Sequence, residues 1–297
     1  MHKYMRAIGF SKVKNSKDMH DIIMESLSNA DKRSYVSHTE NTILAEFDRD
    51  FASHIGVAVC GEFDEDDKFT FEYCYPYLRG ENVSTMEDVT VESHADKESF
   101  AGVVEEPKVG VSLVFYLQNM IHYVKVRSND LLPIKGTTLN LSALCLKGMV
   151  IMPRMKDEAA VAKSRRDTQK RAKLVADARS GDENAIETLT LSDMDTYNLI
   201  SNRIRKEDVL TLVDTYFMPY GVECDQYSIL GEITECHTET NSMTGEEIYV
   251  MTVVCNELTF DVCINKIDLY GEPAPGRRFK GAIWMQGFIN FPENAVL

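Results

Sequence analysis

Between Phe69 and Tyr75 every second residue is aromatic (Phe69, Phe71, Tyr73, Tyr75), and this alternation predicts a half-buried strand. The run from Ile55 to Phe63, followed by the acidic stretch Asp64-Glu-Asp-Asp-Lys68, supplies the first arm and the loop of a hairpin that this strand completes. Ser16 to Asn29 differs, because Met19, Ile22, Ile23 and Leu27 recur at helical spacing and predict an amphipathic helix packed on the sheet. Apolar runs at Val111 to Leu117, Met120 to Val126 and Thr137 to Val150 predict further strands, giving a mixed α+β domain over residues 1–152.

After Pro153 the pattern changes. Met155 to Arg179 contains neither glycine nor proline and is rich in alanine, lysine and arginine, so it predicts a helix. Gly181 suits a left-handed cap, with Ser180 or Asp182 as the next N-cap, and Ser192-Asp-Met-Asp195 has capping-box spacing for a helix through Ile204. A helical connector is therefore expected over 153–219. Beyond it, strands are predicted at Gln226 to His237, Ile248 to Cys255, Leu258 to Asn265 and Arg277 to Phe291, with a tight hairpin at Asn256-Glu257 and a looser one at Asn241 to Gly245. Gly281 and Gly287 suggest bends that curl these strands into a small antiparallel β-barrel spanning 220–297.

Charge changes the picture mainly by what it disfavours. A net charge of −15 over 297 residues repels nucleic acid at long range. Residues 154–179 run against it, with nine Lys or Arg and four Asp or Glu, but 182–219 carry three basic and eight acidic residues and offer internal partners. Seven cysteines without a C-x-x-C pair read as reduced thiols. The N-terminus lacks the apolar stretch of a signal peptide, and the longest apolar segment, 109–126, is broken by Ser112, Gln118, Asn119, His122 and Lys125. The expectation is a cytoplasmic protein with no membrane partner.

No phosphate-binding glycine loop, nucleophile elbow or histidine pair at helical spacing is present, and no cofactor is implied. Cys224, Cys236, His237, Cys255 and Cys263 lie too far apart for a usual zinc site, so no metal is expected. Cys263 stands apart from the other thiols because it shares a polar row with Asp261 and Asn265. Arg165, Arg166, Lys170, Arg171 and Lys173 form the densest basic group and are the candidate nucleic-acid contacts. Arg277, Arg278 and Lys280 lie beside Trp284 and Gln286, with Lys280, Trp284 and Gln286 on one strand face. These five are the candidate binding residues.

Three segments carry a resemblance: Met1-His-Lys-Tyr-Met-Arg-Ala-Ile-Gly-Phe10, Val213-Asp-Thr-Tyr-Phe-Met-Pro-Tyr-Gly-Val-Glu-Cys-Asp225, and Phe260-Asp-Val-Cys-Ile-Asn265 with Gly271 to Gly287. Together they resemble an uncharacterised bacterial family classed as a domain of unknown function, which implies no activity, cofactor or site. The terminal strands separately resemble an oligonucleotide/oligosaccharide-binding barrel, though Lys266 to Gly276 is too short and proline-rich for the helix such barrels carry between their third and fourth strands. The leading expectation is a non-catalytic binding or assembly protein that presents the barrel to a protein partner. The alternatives are single-stranded nucleic-acid binding by the barrel with the basic helix, and an enzyme with an interdomain site using groups such as His54, His122 or Asp261.

Overall fold

The computed structural model describes residues 2–37, 41–93, 100–106, 109, 111–128, 136–153, 166, 170, 173–178, 180–192, 210 and 213–292. A 3-10 helix, Lys3–Ile8, leads into α1, Ser16–Ser28, which is capped by Asn15 accepting from the Lys17 and Asp18 amides and buries Met19 and Ile22. Four strands follow as an antiparallel meander: β1 (Lys32–Ser37), β2 (Ile43–Ala52), β3 (Ile55–Phe63) and β4 (Phe69–Leu78). The acidic loop closes β3 and β4 as the alternation predicts, with Asp64 Oδ1 accepting from the amides of Asp66 and Lys68. Phe63 and Phe69 pair across it, and Phe47 packs edge-on against Phe69 at 5.3 Å.

The second sheet comprises β5 (Val89–Ser93), β6 (Phe100–Glu106), β7 (Val111–Leu117), β8 (Thr138–Ile151), β9 (Tyr216–Pro219), β10 (Gln226–Thr240), β11 (Glu247–Cys255), β12 (Leu258–Asn265), β13 (Leu269–Tyr270) and β14 (Arg278–Asn290). Because β8 pairs with both β12 and β14, the strands β8, β12, β11, β10 and β14 close into a five-stranded barrel. The fold is mixed and strand-rich. Residues 220–297 do not make this barrel alone, and it is not purely antiparallel. Its fifth strand comes from 138–151, paired parallel to β12 through Asp261–Ser142 to Ile264–Cys145 and antiparallel to β14 through Arg278–Ile151 to Asn290–Thr138. The boundary expected at 152 thus falls at the end of a barrel strand. No local signal marks this, because the pairing partners lie in a different part of the chain.

The run expected as a strand at 120–126 is instead the helix α2, Met120–Ser128. Met120, Ile121 and Val124 cover Val36 and Leu44, a helical spacing, while Asn119 fixes the helix start by exchanging two hydrogen bonds with the Ile289 backbone. The tight hairpin between β11 and β12 is present, with Asn256 and Glu257 both at positive φ, 51° and 66°. Gly181 has φ 93°, and Asp182 Oδ1 accepts from the Asn184 and Ala185 amides at the start of a helix over 183–192. Ser192, expected as an N-cap, is instead the last described residue of that helix; residues 193–195 of its capping box and most of the expected helix 155–179 lie outside the described residues.

Among the described residues two large apolar cores result, beside the small cluster under α2. One fills the barrel, where the Phe279 ring lies on the cross-strand pair Gly148 and Gly281; a Cβ there would stand 2.6 and 2.8 Å from the ring. Gly281 also adjoins the register shift at Gly281/Ile283, so the bend expected there coincides with an aromatic seat. The other core lies between the four-stranded sheet, with the N-terminal helices, and the outer wall of the barrel at Leu144, Ile248, Val250, Cys263 and Trp284. No helix among the described residues is long and apolar enough to cross a membrane.

Candidate functional site

The face of β14 expected to be open is closed. Trp284 is 4% exposed, its ring stacked on Tyr4 at 5.2 Å and close to His2 and Tyr116, and its Nε1 donates to Asp225 at 2.7 Å. Gln286 is fully buried: its amide donates to the Pro76 carbonyl and its Oε1 accepts from the Leu78 amide and from Gln118 Nε2, so it stitches the end of β4 to the barrel. Arg278 is also buried and donates to the carbonyls of Met152, Leu210 and Val213. Only Arg277 and Lys280 remain half-exposed, and Arg277 donates to the Glu272 carbonyl. The five residues form no common site. An alternating strand does place Lys280, Trp284 and Gln286 on one face, but the cover on that face comes from residues far away in the chain.

Part of that cover is the N-terminal segment, which is also tied to the neighbouring barrel strands and loops. Asn241 donates to the Ile8 carbonyl, Thr244 Oγ1 to the Gly9 carbonyl, and Asn265 Nδ2 to Arg6 O; Ser11 donates to Glu246, and Arg6 pairs with Asp268 at 2.6 and 2.8 Å. Gly9 is needed here, with φ 88° and a Cβ position 2.8 Å from Asn241. The row Asp261, Cys263, Asn265 is consequently internal. Burial pushes the Cys263 thiol well up, while Asp261 accepts from Thr252 Oγ1 and the Glu81 amide.

Along this seam the chain gathers ionisable groups that periodicity places on a wet face. Glu46 and Asp48 alternate with Phe47 on β2, yet are 4% and 2% exposed. Glu46 Oε2 lies 3.2 Å from Tyr75 Oη and 3.8 Å from Cys60 Sγ; Asp48 bonds to Arg79, which stacks over Tyr77, and Tyr77 donates to Asp50. Burial, helped by the Asp48 charge, raises the Glu46 carboxyl to about 8, and burial also raises Asp48 against the opposing pull of Arg79. Of the groups proposed for an interdomain enzyme, His54 contacts Glu81 Oε1 at 3.1 Å while Asp261 holds the Glu81 amide, which places those two near one residue. His122 lies elsewhere, edge-on to Phe291.

Exposed apolar side chains occur at several places, and one group of them lies on and beside β8 and β13. Tyr270 on β13 is 79% exposed and pairs with Met149 on β8, itself exposed; Ile267 and Met152 are exposed nearby in sequence. Lys280 pairs with Met149 from the other side, and exposed Lys147 lies two residues before it on the same strand face. In the basic group, Arg166, Lys170 and Lys173 are exposed, whereas Arg165 and Arg171 are outside the described residues.

Fold and site together define a protein whose closed five-stranded barrel is sealed on one wall by its own N-terminal sheet. The chain belongs to the family described as "Domain of unknown function, E. rectale Gene description (DUF3881)", matched over residues 5–287. Neither curated proteins nor solved structures gave a match.

Proposed function

We propose that the chain is a non-catalytic binding or assembly protein whose partner surface is the barrel rim at Met149, Tyr270, Ile267 and Met152. The observation that carries this reading is Tyr270, an aromatic side chain 79% exposed beside exposed Met149. Clustered exposed apolar groups of this kind favour protein contact. Lys147 and Lys280 flank them, so the occupant that fits is a protein segment with apolar anchors and acidic neighbours.

The barrel is also best read as a relative of the oligonucleotide/oligosaccharide-binding fold. Taken as β10, β11, β12, β14, β8, its strands give a meander, a parallel pairing of third and last strands, and a fourth strand that closes on the first. That is the order of such barrels with the final strand moved to the front of the chain. They bind polymers across their second and third strands and adjoining loops. Here β11, β12 and the loop 241–246 occupy that position and lie against residues 6–11, which favours a protein partner over single-stranded nucleic acid.

The test places a photo-crosslinking amino acid at position 270 in cells of the source organism, with Tyr35, exposed on the distant sheet, as the control site. The expected result is a discrete protein adduct from position 270 that is absent from position 35 and lost in Met149→Lys. The reading fails if both positions give the same products, or if the purified chain binds single-stranded oligothymidine with an affinity that falls steeply with salt.

A further inference from the structure

Glu46 lies where the four-stranded sheet meets the barrel, facing the junction of β7 and α2. Tyr75 Oη is 2.9 Å from the Gln118 carbonyl and 3.2 Å from Glu46 Oε2. A phenol has one hydrogen and a carbonyl can only accept, so that hydrogen belongs to Gln118. With that hydrogen on the shorter contact, the 3.2 Å approach of the two remaining oxygens is satisfied by a hydrogen on Glu46. Charge leads to the same place: Glu46 and Asp48 are two buried carboxyls, and among the described residues Arg79 bonds to Asp48 and not to Glu46, while Asp48 Oδ1 has no hydrogen-bond partner.

We infer that Glu46 is a buried proton-binding site, a neutral carboxylic acid that seals the seam between the four-stranded sheet and the barrel and loosens that seam when it ionises. The groups around it accommodate the neutral form. Lys32 of β1, Arg79 just after β4 and the Tyr75 hydroxyl draw it toward ionisation, burial and Asp48 of β2 oppose this, Asp50 of β2 acts in turn on Asp48, and Cys60 of β3, Tyr73 and Tyr75 of β4 and Tyr116 of β7 are themselves held protonated by burial. On α2, burial, with Lys32 and Lys125, biases His122 toward its neutral form. Acceptors therefore outnumber cations at the seam, and one proton balances it.

The folded chain holds this proton up to about pH 8, whereas an unfolded glutamate releases it near its ordinary value of 4.5. Stability is then greatest below the lower value and falls as pH rises toward the upper, by up to about tenfold per pH unit in the folding equilibrium constant. Urea unfolding of the full chain from pH 5 to 9 should show this decline, and Glu46→Gln, which keeps a neutral side chain able to donate, should reduce its slope by the equivalent of one proton. An infrared band of a neutral carboxylic acid should also be present in the wild type at pH 7 and disappear as pH is raised above 8. That second measurement decides the matter if Glu46→Gln does not fold. Parallel pH profiles for wild type and variant, or no neutral-acid band at pH 7, would overturn the inference.

Discussion

Arg278→Ala is expected to destabilise the chain by about 3–5 kcal/mol, because a buried guanidinium hydrogen-bonded to three carbonyls is replaced by a methyl group that satisfies none of them. The position of those carbonyls gives the loss its meaning. Met152 follows β8 directly as the chain leaves the barrel, and Leu210 and Val213 precede β9 as it returns. One side chain on β14 thus ties together both ends of the excursion between β8 and β9. Arg278→Lys keeps the charge but not the planar fork, so it should retain most of the defect. Arg277→Ala, which removes one bond to the Glu272 carbonyl at a half-exposed position, should cost about 1 kcal/mol or less. Denaturant unfolding of the three variants checks this. Equal midpoints for Arg277→Ala and Arg278→Ala would show that the clamp contributes nothing.

The second large effect is expected at Gly102. The Phe115 ring lies across Gly102 of β6 and Gly287 of β14, where a Cβ would stand 2.1 and 2.4 Å from ring carbons. The ring is fully buried and hemmed in on both sides, so it cannot swing away, and Gly102→Ala should cost about 3 kcal/mol or more. Phe115→Ala alone should lose about 3–5 kcal/mol through the cavity it leaves. The double substitution should be less damaging than the sum of the two, because the added methyl enters space the ring has vacated. Additive losses in that cycle would mean that the glycine is required for backbone geometry rather than as a seat for the ring.

Local features of this fold are legible in the sequence, and features imposed from a distance are not. The β3–β4 hairpin, α1, and the β10–β11–β12 meander with its Asn256-Glu257 turn all follow from alternation, helical spacing and turn chemistry carried within a few residues. The closing strand β8 reads as one more apolar run, since nothing in Thr138–Ile151 states which distant edges it will join. Met120 to Val126 has the composition of a strand, and only the surface it covers makes it a helix. The site illustrates the same limit. In Glu46-Phe-Asp48 the alternation correctly separates two faces, but a period of two cannot say that the charged face is also covered. Trp284 was legible as the notable residue of its strand, and its burial was not, because its cover includes His2 and Tyr4 at the far end of the chain.

The proposed partner surface rests on the barrel's outer wall being sealed by the chain's own N-terminal segment. The chain's single tryptophan reports on that wall directly. Intrinsic fluorescence of the native full-length protein, titrated with acrylamide, should show blue-shifted emission and quenching far below that of the urea-unfolded chain, with Tyr4→Ala raising the accessibility. Native emission at the wavelength of the unfolded chain, quenched to the same degree, would mean that the wall is open and would contradict the account.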